Sequence, residues 1–338
     1  SSLGDPLVEP YIDGEFGYTA LMEFRIPDIG SSRLEIESDL SGLWIGLPDP
    51  LGKIKDETRL TTLVIEFEEG QQSVFYRYGE DEARLTIIDG SVVRGSIGFS
   101  DNPMDVDDNI LVLTGSIDLL DVGDYLDQPE LQRATGLEID WQVKNLSVKQ
   151  ILFNGYSWAE VLIDGSGDSS SFRFDINSED LNGSISMKDP SLLDINLENI
   201  QLPLNKLSVV EKAKTANISP KDMITDLPDI VFNVENVRYE EERFGSWNFV
   251  VRQVEDKVEF HPLSFALKGI SVSEAFLSWD VGKGVSDFRG SLFVDDLEAS
   301  LPKWGFPGSI MTESTRADFD LKWAGSPLGI ELEGINGV

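Results

Sequence analysis

Apolar and polar residues alternate with a period of two along most of the chain. Leu63, Ile65 and Phe67 interleave with Val64, Glu66 and Glu68. Ile139, Trp141 and Val143 interleave with Asp140, Gln142 and Lys144, and Phe172, Phe174 and Ile176 with Arg173, Asp175 and Asn177. The pattern recurs at Leu193–Ile195–Leu197, Ile230–Phe232–Val234 and Ala317–Phe319–Leu321–Trp323. Successive side chains of a strand point to opposite faces, so each segment predicts a strand with one apolar and one polar face. One-sided strands are the signature of antiparallel sheet with one wet face, whereas buried parallel strands read as continuous apolar runs. Glu69-Gly70, Asp89-Gly90, Asp164-Gly165-Ser166-Gly167 and Asn182-Gly183 supply the positive-φ residues that tight turns demand. Helical spacing is confined to two short pieces, Leu119–Leu126 and Asp296–Trp304. The polar stretch Leu204–Leu227, with Pro220 inside it, reads as a long crossover loop.

Internal repeats accompany the alternation. Val143-Lys144-Asn145-Leu146 matches Val234-Glu235-Asn236-Val237, 91 positions on. An aromatic, glycine and tryptophan group follows each: Phe153-Asn154-Gly155-Tyr156-Ser157-Trp158 and Phe244-Gly245-Ser246-Trp247. Gly115-Ser116-Ile117 and Gly290-Ser291-Leu292 each lead into a short acidic helix. The expected unit is therefore strand, Asn-containing turn, strand, aromatic turn, strand. A long array of such strands must cover its apolar faces, by folding over as a sandwich or by curling around something else.

Composition narrows the chemistry. The chain of 338 residues has 27 Lys and Arg against 61 Asp and Glu, a net charge of −34, with one His and no Cys. Such a charge excludes ordinary nucleic-acid binding, which needs basic surface to neutralise phosphate. Without cysteine there are no disulfides, thiolate nucleophiles or Fe–S clusters. No apolar run approaches the roughly 20 residues that span a bilayer, and no signal-peptide pattern opens the chain. The C-terminal residues Ile330–Val338 read as a strand cut off in mid-pattern, so the chain is expected to be an excerpt of something longer.

Candidate reactive sites have plain readings beside the chemical ones. Gly155-Tyr156-Ser157-Trp158-Ala159 approaches a nucleophile elbow, but strands flank it and the one histidine is remote in sequence. The loop Asp101–Asn109 crowds oxygen ligands as a calcium site would, without EF-hand spacing, and its plain reading is a solvated acidic loop. His261 falls on the outward side of an alternating strand with Lys257 and Glu259. A glycosidase pair is a third possibility that 61 carboxylates make impossible to assign by spacing. The aromatic positions are either ordinary core or a wall for acyl chains, and alternation does not separate the two.

Longer strings carry a resemblance. Asp39-Leu40-Ser41-Gly42-Leu43-Trp44-Ile45-Gly46-Leu47-Pro48-Asp49-Pro50-Leu51-Gly52-Lys53 resembles a segment of giant members of the AsmA-like family. So, in the same order, do Gly115–Asp121, the Asn145 and Asn236 units with Trp158 and Trp247, Ser300–Pro307, and Leu321-Lys322-Trp323-Ala324-Gly325-Ser326-Pro327. The Asp-rich loop at 101–109 departs from the family pattern. The resemblance implies a bridge-like lipid-transport protein, anchored in the inner membrane of a Gram-negative bacterium. Its β-rich body would cross the periplasm and carry phospholipid along an apolar groove toward the outer membrane.

The combined expectation is an all-β chain, an extended antiparallel sheet of amphipathic strands curled into an open apolar groove, with a few short helices. Three sections of one continuous array are expected: 1–130, 131–227 (with the crossover 204–227) and 228–338. The expected lipid-facing residues are Leu63, Ile65, Phe67, Ile139, Trp141, Val143, Phe172, Phe174, Ile176, Ile195, Leu197, Ile230, Phe232, Val234, Phe265, Leu267, Trp279, Phe319, Leu321 and Trp323. Expected partners are phospholipid acyl chains, the remaining segments of the same long chain, and both membranes through parts outside this sequence. No nucleic acid, cofactor, metal or catalytic residue is expected. The alternative is a structural β-sandwich of the cell envelope that transports nothing.

Overall fold

A computed structural model describes residues 9–24, 32–106, 108–126, 139–153, 156–202, 228–239, 242–305, 312, 314–327 and 336–337. The chain is nearly all strand and falls into two compact units, Ser1–Ser178 and Glu179–Val338. The section boundary expected at residue 130 lies within the first unit, and that at 227 within the second.

The first unit contains β1 (Ile12–Gly14), β2 (Thr19–Glu23), β3 (Ser32–Ser38), β4 (Leu43–Ile45), β5 (Thr61–Glu68), β6 (Gln71–Tyr78), β7 (Asp81–Ile88), β8 (Ser91–Phe99), β9 (Ile110–Asp121), β10 (Asp140–Phe153), β11 (Tyr156–Gly167) and β12 (Phe172–Asn177). β1 pairs with β4 alone. The other ten strands form one sheet in the order β2-β3-β5-β6-β7-β8-β9-β10-β11-β12. Among the described residues no pairing joins β12 back to β2, so this sheet does not close into a barrel. The second unit contains β13 (Leu181–Asp189), β14 (Leu192–Leu202), β15 (Asp229–Tyr239), β16 (Glu242–Val254), β17 (Lys257–Leu267), β18 (Ile270–Asp280), β19 (Val285–Val294), β20 (Thr315–Ala324) and β21 (Asn336–Gly337), each paired with the next.

Three pairings depart from the antiparallel expectation: β8–β9, β9–β10 and β14–β15 are parallel. A parallel neighbour requires the chain to travel back the length of a strand before pairing. The segment between Phe99 and Ile110 does so across one face of β8. There Ser96 Oγ donates to the Met104 carbonyl oxygen at 2.6 Å, and a Cβ on Gly98 would lie 2.4 Å from the Asp101 carbonyl oxygen. The Asp-rich loop is thus a crossover pressed onto the sheet. β9 has the continuous run Ile110-Leu111-Val112-Leu113, with Val112 2% exposed and in register with Ser96 under that crossover. β14 alternates although it too is parallel, because only one of its faces is apolar. The connection from β14 to β15 is the stretch expected to be a crossover loop, and residues 203–227 lie outside those described.

The repeated Asn-containing strings are not turns. Val143–Leu146 lies inside β10 and Val234–Val237 inside β15, and each is a β-bulge where the register shifts. Trp158-Ala159-Glu160-Val161, Phe260-His261-Pro262-Leu263 and Val272-Ser273-Glu274-Ala275 likewise place two inward apolar residues three positions apart, the last two strings at register shifts. In an unbroken strand, residues three apart face opposite ways. An extra residue returns the second apolar side chain to the face of the first. Val234 and Val237 are each 1% exposed while Glu235 and Asn236 between them face water. Asn145, Glu160 and Glu274 take positive φ near 50° at these points. Phe244–Trp247, expected as an aromatic turn, also lies within a strand, β16. Gly165 and Gly183 likewise fall inside β11 and β13. Asp89-Gly90 is a hairpin turn as expected, both residues having φ above zero (50° and 81°).

The helical pieces are short. α1 (Val122–Leu126) begins where β9 ends, so Leu119–Asp121 are strand and not helix. α2 (Leu297–Ser300) is capped by Asp296, whose carboxylate accepts from the Ala299 N–H at 2.9 Å, and a 3-10 turn follows over Leu301–Trp304. Among the described residues no helix is long and apolar enough to cross a membrane.

Glycine requirements give a stability test of this geometry. Gly115 in β9 has φ +106°, and a Cβ there would lie 2.0 Å from the Phe99 carbonyl oxygen. Gly70 in the β5–β6 turn has φ +81° with open space around it. In urea denaturation Gly115→Ala should cost about 3 kcal/mol or more, and Gly70→Ala about 1 kcal/mol. Equal losses would contradict the close strand approach.

Candidate functional site

Register decides which side chains share a face, because directly paired residues of neighbouring strands point the same way. In the first unit one line of paired residues runs Ala20, Ile36, Leu63, Tyr76, Ala83, Ile97, Leu113, Val143, Gly165, Phe174. It crosses all ten strands of the sheet without a charged residue. At about 4.8 Å per strand it follows the sheet for roughly 40 Å. The adjacent line on the same face runs Met22, Leu34, Ile65, Val74, Leu85, Gly95, Leu111, Trp141, Gly167, Phe172. Phe67 and Ile176 flank these lines on β5 and β12, while Ile139 is buried just before β10 begins. The glycines are required where rings lie across the backbone: a Cβ on Gly165 would lie 2.5 Å from the Phe174 ring, and one on Gly167 2.6 Å from the Trp141 ring. Trp141 stacks on Phe174 at 5.3 Å between centroids, and Phe172 lies 5.5 Å from Phe174.

The second unit repeats the arrangement. One line runs Ile185, Ile195, Phe232, Phe249, Leu263, Ala275. It continues to Gly290, whose Cβ would lie 2.7 Å from that of Ala275, and to Phe319. A second runs Gly183, Leu197, Val234, Trp247, Phe265, Val272, Leu292, Ala317. A third runs Met187, Leu193, Ile230, Val251, Phe260, Leu277, Phe288, Leu321. Trp279 and Trp323 share this face through Ser286, and Leu267 through Ile270 and Val294. Phe232 and Phe249 stack at 4.6 Å, and Phe288 and Phe319 meet at 4.5 Å. Within each unit the strand residues singled out from sequence therefore lie on one face. Sequence reading missed Val74, Leu85, Phe249, Leu263 and Phe288, which share it. β6, β7, β16 and β19 held none of the residues singled out as lipid-facing, whereas Leu263 shares β17 with Phe265 and Leu267 and was hidden by the bulge that interrupts the alternation there.

Most of these side chains are only half-buried. Leu63, Ile65, Phe67, Phe172, Phe174, Phe232 and Phe319 all keep part of their surface open, and Tyr76 is 37% exposed. Val143, Leu197, Val234 and Trp323 are buried. The opposite face is mainly polar, with one mixed line in the first unit, Leu21, Glu35, Val64, Phe75, Arg84, Ser96, Val112, in which Val64 and Val112 are buried. In the first unit its lines include Glu23, Arg33, Glu66, Ser73, Thr86, Arg94 and Thr19, Glu37, Thr62, Arg77, Glu82. In the second, Asn196, Asn233, Asn248 and Ser264 form such a line, with Asn233 Nδ2 donating to Asn196 Oδ1 at 3.0 Å.

A cap covers one end of the first unit's apolar face. Tyr78, on that face, is buried against Leu40, Leu43 and Ile45. Three successive carbonyls of Asp49-Pro50-Leu51 accept from side chains of the sheet and its neighbours: Tyr125 hydroxyl at 3.0 Å, Arg59 guanidinium at 2.9 Å and Tyr78 hydroxyl at 3.0 Å. Lys53 is 3% exposed, its ammonium donating to the carbonyls of Leu43 and Ile54 at 2.9 and 3.0 Å. A Cβ on Gly52 would lie 2.2 Å from the Leu47 carbonyl oxygen. The Pro-Leu-Gly-Lys string thus has a local reason for its last two residues, Gly52 and Lys53. Burial pushes the phenols of Tyr78 and Tyr125 up to about 12.

The other candidate sites have plain settings. Ser157 lies in β11 and its hydroxyl accepts from Gln150 Nε2 at 2.8 Å. His261 sits at the β17 bulge, Nδ1 3.3 Å from the Ala275 carbonyl oxygen and the ring 5.8 Å from that of Phe276. Asp105 pairs with Arg84, and the Asp101 carboxylate accepts from the Asn102 N–H. Among the described residues no group of three or more acidic or histidine side chains is placed to hold a metal ion.

The whole pattern has a counterpart among known families: the family model described as YhdP protein matches residues 2–338. No curated protein and no solved structure matches the chain.

Two tests follow for the cap. A phenol whose folded-state pKa is raised adds stability below the ordinary value near 10, and this is lost as pH rises through about 12. The urea midpoint should therefore hold steady up to about pH 10 and fall toward pH 12, with a shallower fall in Tyr78→Phe. Lys53→Met strands the buried Leu43 carbonyl and the part-buried Ile54 carbonyl and should cost about 2 kcal/mol or more at neutral pH.

Proposed function

Since the chain belongs to the YhdP family, we propose that the apolar faces of its two units are stretches of a path for phospholipid. Acyl chains lie along the aligned rows while the head group stays in water at the open side. The parent protein is placed, on this reading, in the periplasm, anchored in the inner membrane of a Gram-negative bacterium and serving the outer membrane's lipid supply and permeability barrier. The chain acts as a passive surface and not as an enzyme. Its partners are phospholipids, the rest of the same long polypeptide and, through it, the two membranes.

The observation that carries the reading is the unbroken apolar row across ten strands whose large members stay half exposed. Each methylene taken out of water gains about 0.8 kcal/mol, so a chain of many methylenes is held by area alone. Neighbouring positions along a uniformly apolar row offer nearly the same energy, so movement meets no deep trap. A polar anchor within the row would create one. The carboxylates that make the net charge −34 are carried on polar faces and in loops. That keeps the protein soluble with its apolar face uncovered.

Phe174 in the first unit and Phe232 in the second give the test. Native mass spectrometry of the purified chain should show bound phospholipid. Phe174→Asp or Phe232→Asp should lower occupancy about tenfold or more, with the urea midpoint shifted less than for a buried-core aspartate. Wild-type protein without lipid, or variants that unfold with lipid binding unaltered in the surviving fraction, would favour a closed structural domain.

A further inference from the structure

The polar face of the first unit carries a feature that a lipid path does not use. A cavity of about 620 Å³ opens on it, floored by β5 to β8 and walled by the crossover segment Met104–Val106. Three guanidinium side chains line it: Arg33, Arg84 and Arg94. In a chain with 61 acidic and 27 basic residues, three arginines in one cavity need an account.

Two of them are matched by carboxylates. Arg33 reaches Glu35 at 3.0 Å and Glu66 at 3.5 Å, and Arg84 reaches Asp105 at 3.1 Å. Arg94 is different. Its Nε donates to Thr86 Oγ1 at 3.4 Å, and among the described residues it has no acidic partner. Thr86 is its direct cross-strand neighbour, and Ser73, one strand further along the same line, also lines the cavity. The wall is held in place, since Ser96, 1% exposed, donates to the Met104 carbonyl oxygen at 2.6 Å.

We infer that this cavity binds a phosphodiester group. Three positive charges (Arg33, Arg84, Arg94) stand against three negative ones (Glu35, Glu66, Asp105), but Glu35 and Glu66 both engage Arg33 and Asp105 engages Arg84, so Arg94 is the one guanidinium left without a carboxylate among the described residues. That matches a monoanion. A guanidinium presents paired N–H donors that fit two oxygens of one phosphate, and hydroxyls complete the set. Phe75 and Met104 give the same cavity an apolar side for the ester substituents. The site lies on the face opposite the acyl rows, so it does not depend on the lipid-path reading. Two sources share the chemistry, a soluble glycerophosphodiester and the head group of an intact phospholipid.

The test is an amide NMR titration of the 338-residue chain with glycerophosphoethanolamine, alongside flotation with neutral phosphatidylethanolamine–phosphatidylcholine vesicles. The soluble diester should move the amide signals of Ser73, Thr86, Gly95 and Met104, with affinity lowered on the order of tenfold in Arg94→Gln. Arg94→Lys keeps the charge but not the fork and should fall between the two. It stands in for Arg94→Gln if that variant does not fold. Arg289→Gln, in the second unit, should bind as the wild type does. Binding only to vesicles, lost in Arg94→Gln, assigns the site to lipid head groups. Binding of the soluble diester assigns it to free ones. Wild-type spectra unmoved by the diester together with vesicle binding unchanged in Arg94→Gln would overturn the proposal, as would equal diester affinity in wild type and both Arg94 variants.

Discussion

The structure depends on keeping apolar side chains on one face while the strands bend. Alternation alone achieves this only in a straight ladder. Wherever an extra residue enters a strand, strict alternation would throw the rest of its apolar set onto the wet side. The bulged strings resolve the conflict. Two outward residues between two apolar ones put Val143 with Leu146, Trp158 with Val161 and Val234 with Val237 on a common side. A bulge also increases local twist and bends the strand, so the device that preserves the face is one that lets the sheet curve.

That constraint organises the remaining chemistry. An apolar face left half open requires a polar opposite face, and the ion pairs and the asparagine line are found there. Exposed ion pairs of this kind contribute little stability, so their value lies in solubility and in fixing which side meets water. Parallel neighbours require crossovers, and the one between β8 and β9 runs over the polar face, leaving the apolar rows clear. The cap does the opposite. It closes over Tyr78 at one end of the first unit's apolar face and satisfies its own carbonyls with Lys53, Arg59 and two tyrosines.

The strands and their apolar residues were legible because a period of two survives in short windows whatever the strand pairs with. The turns were less so. Asp89-Gly90 makes a turn, whereas Gly165 and Gly183 lie inside strands, where small residues admit the Phe174 ring and the close approach of Leu197. Asn145 and Asn236 looked like turn residues because a bulge asks for the same backbone tolerance as a turn. Parallel pairing at β14–β15 left no mark in the pattern, since a parallel strand with one open face alternates like an antiparallel one.

By itself the sequence determined the all-β class, the one-sidedness of the strands, the absence of cysteine chemistry and, through strings such as Pro50-Leu51-Gly52-Lys53, the family. These depend on local composition and spacing, which need no knowledge of what pairs with what. Only the tertiary structure decided that the apolar residues of ten strands fall into register as rows. It also decided that Lys53 is buried on backbone carbonyls and that Arg33, Arg84 and Arg94 share one cavity. Each of these is a relation between residues distant in the chain. Register and crossovers create such relations, and no window of sequence contains them.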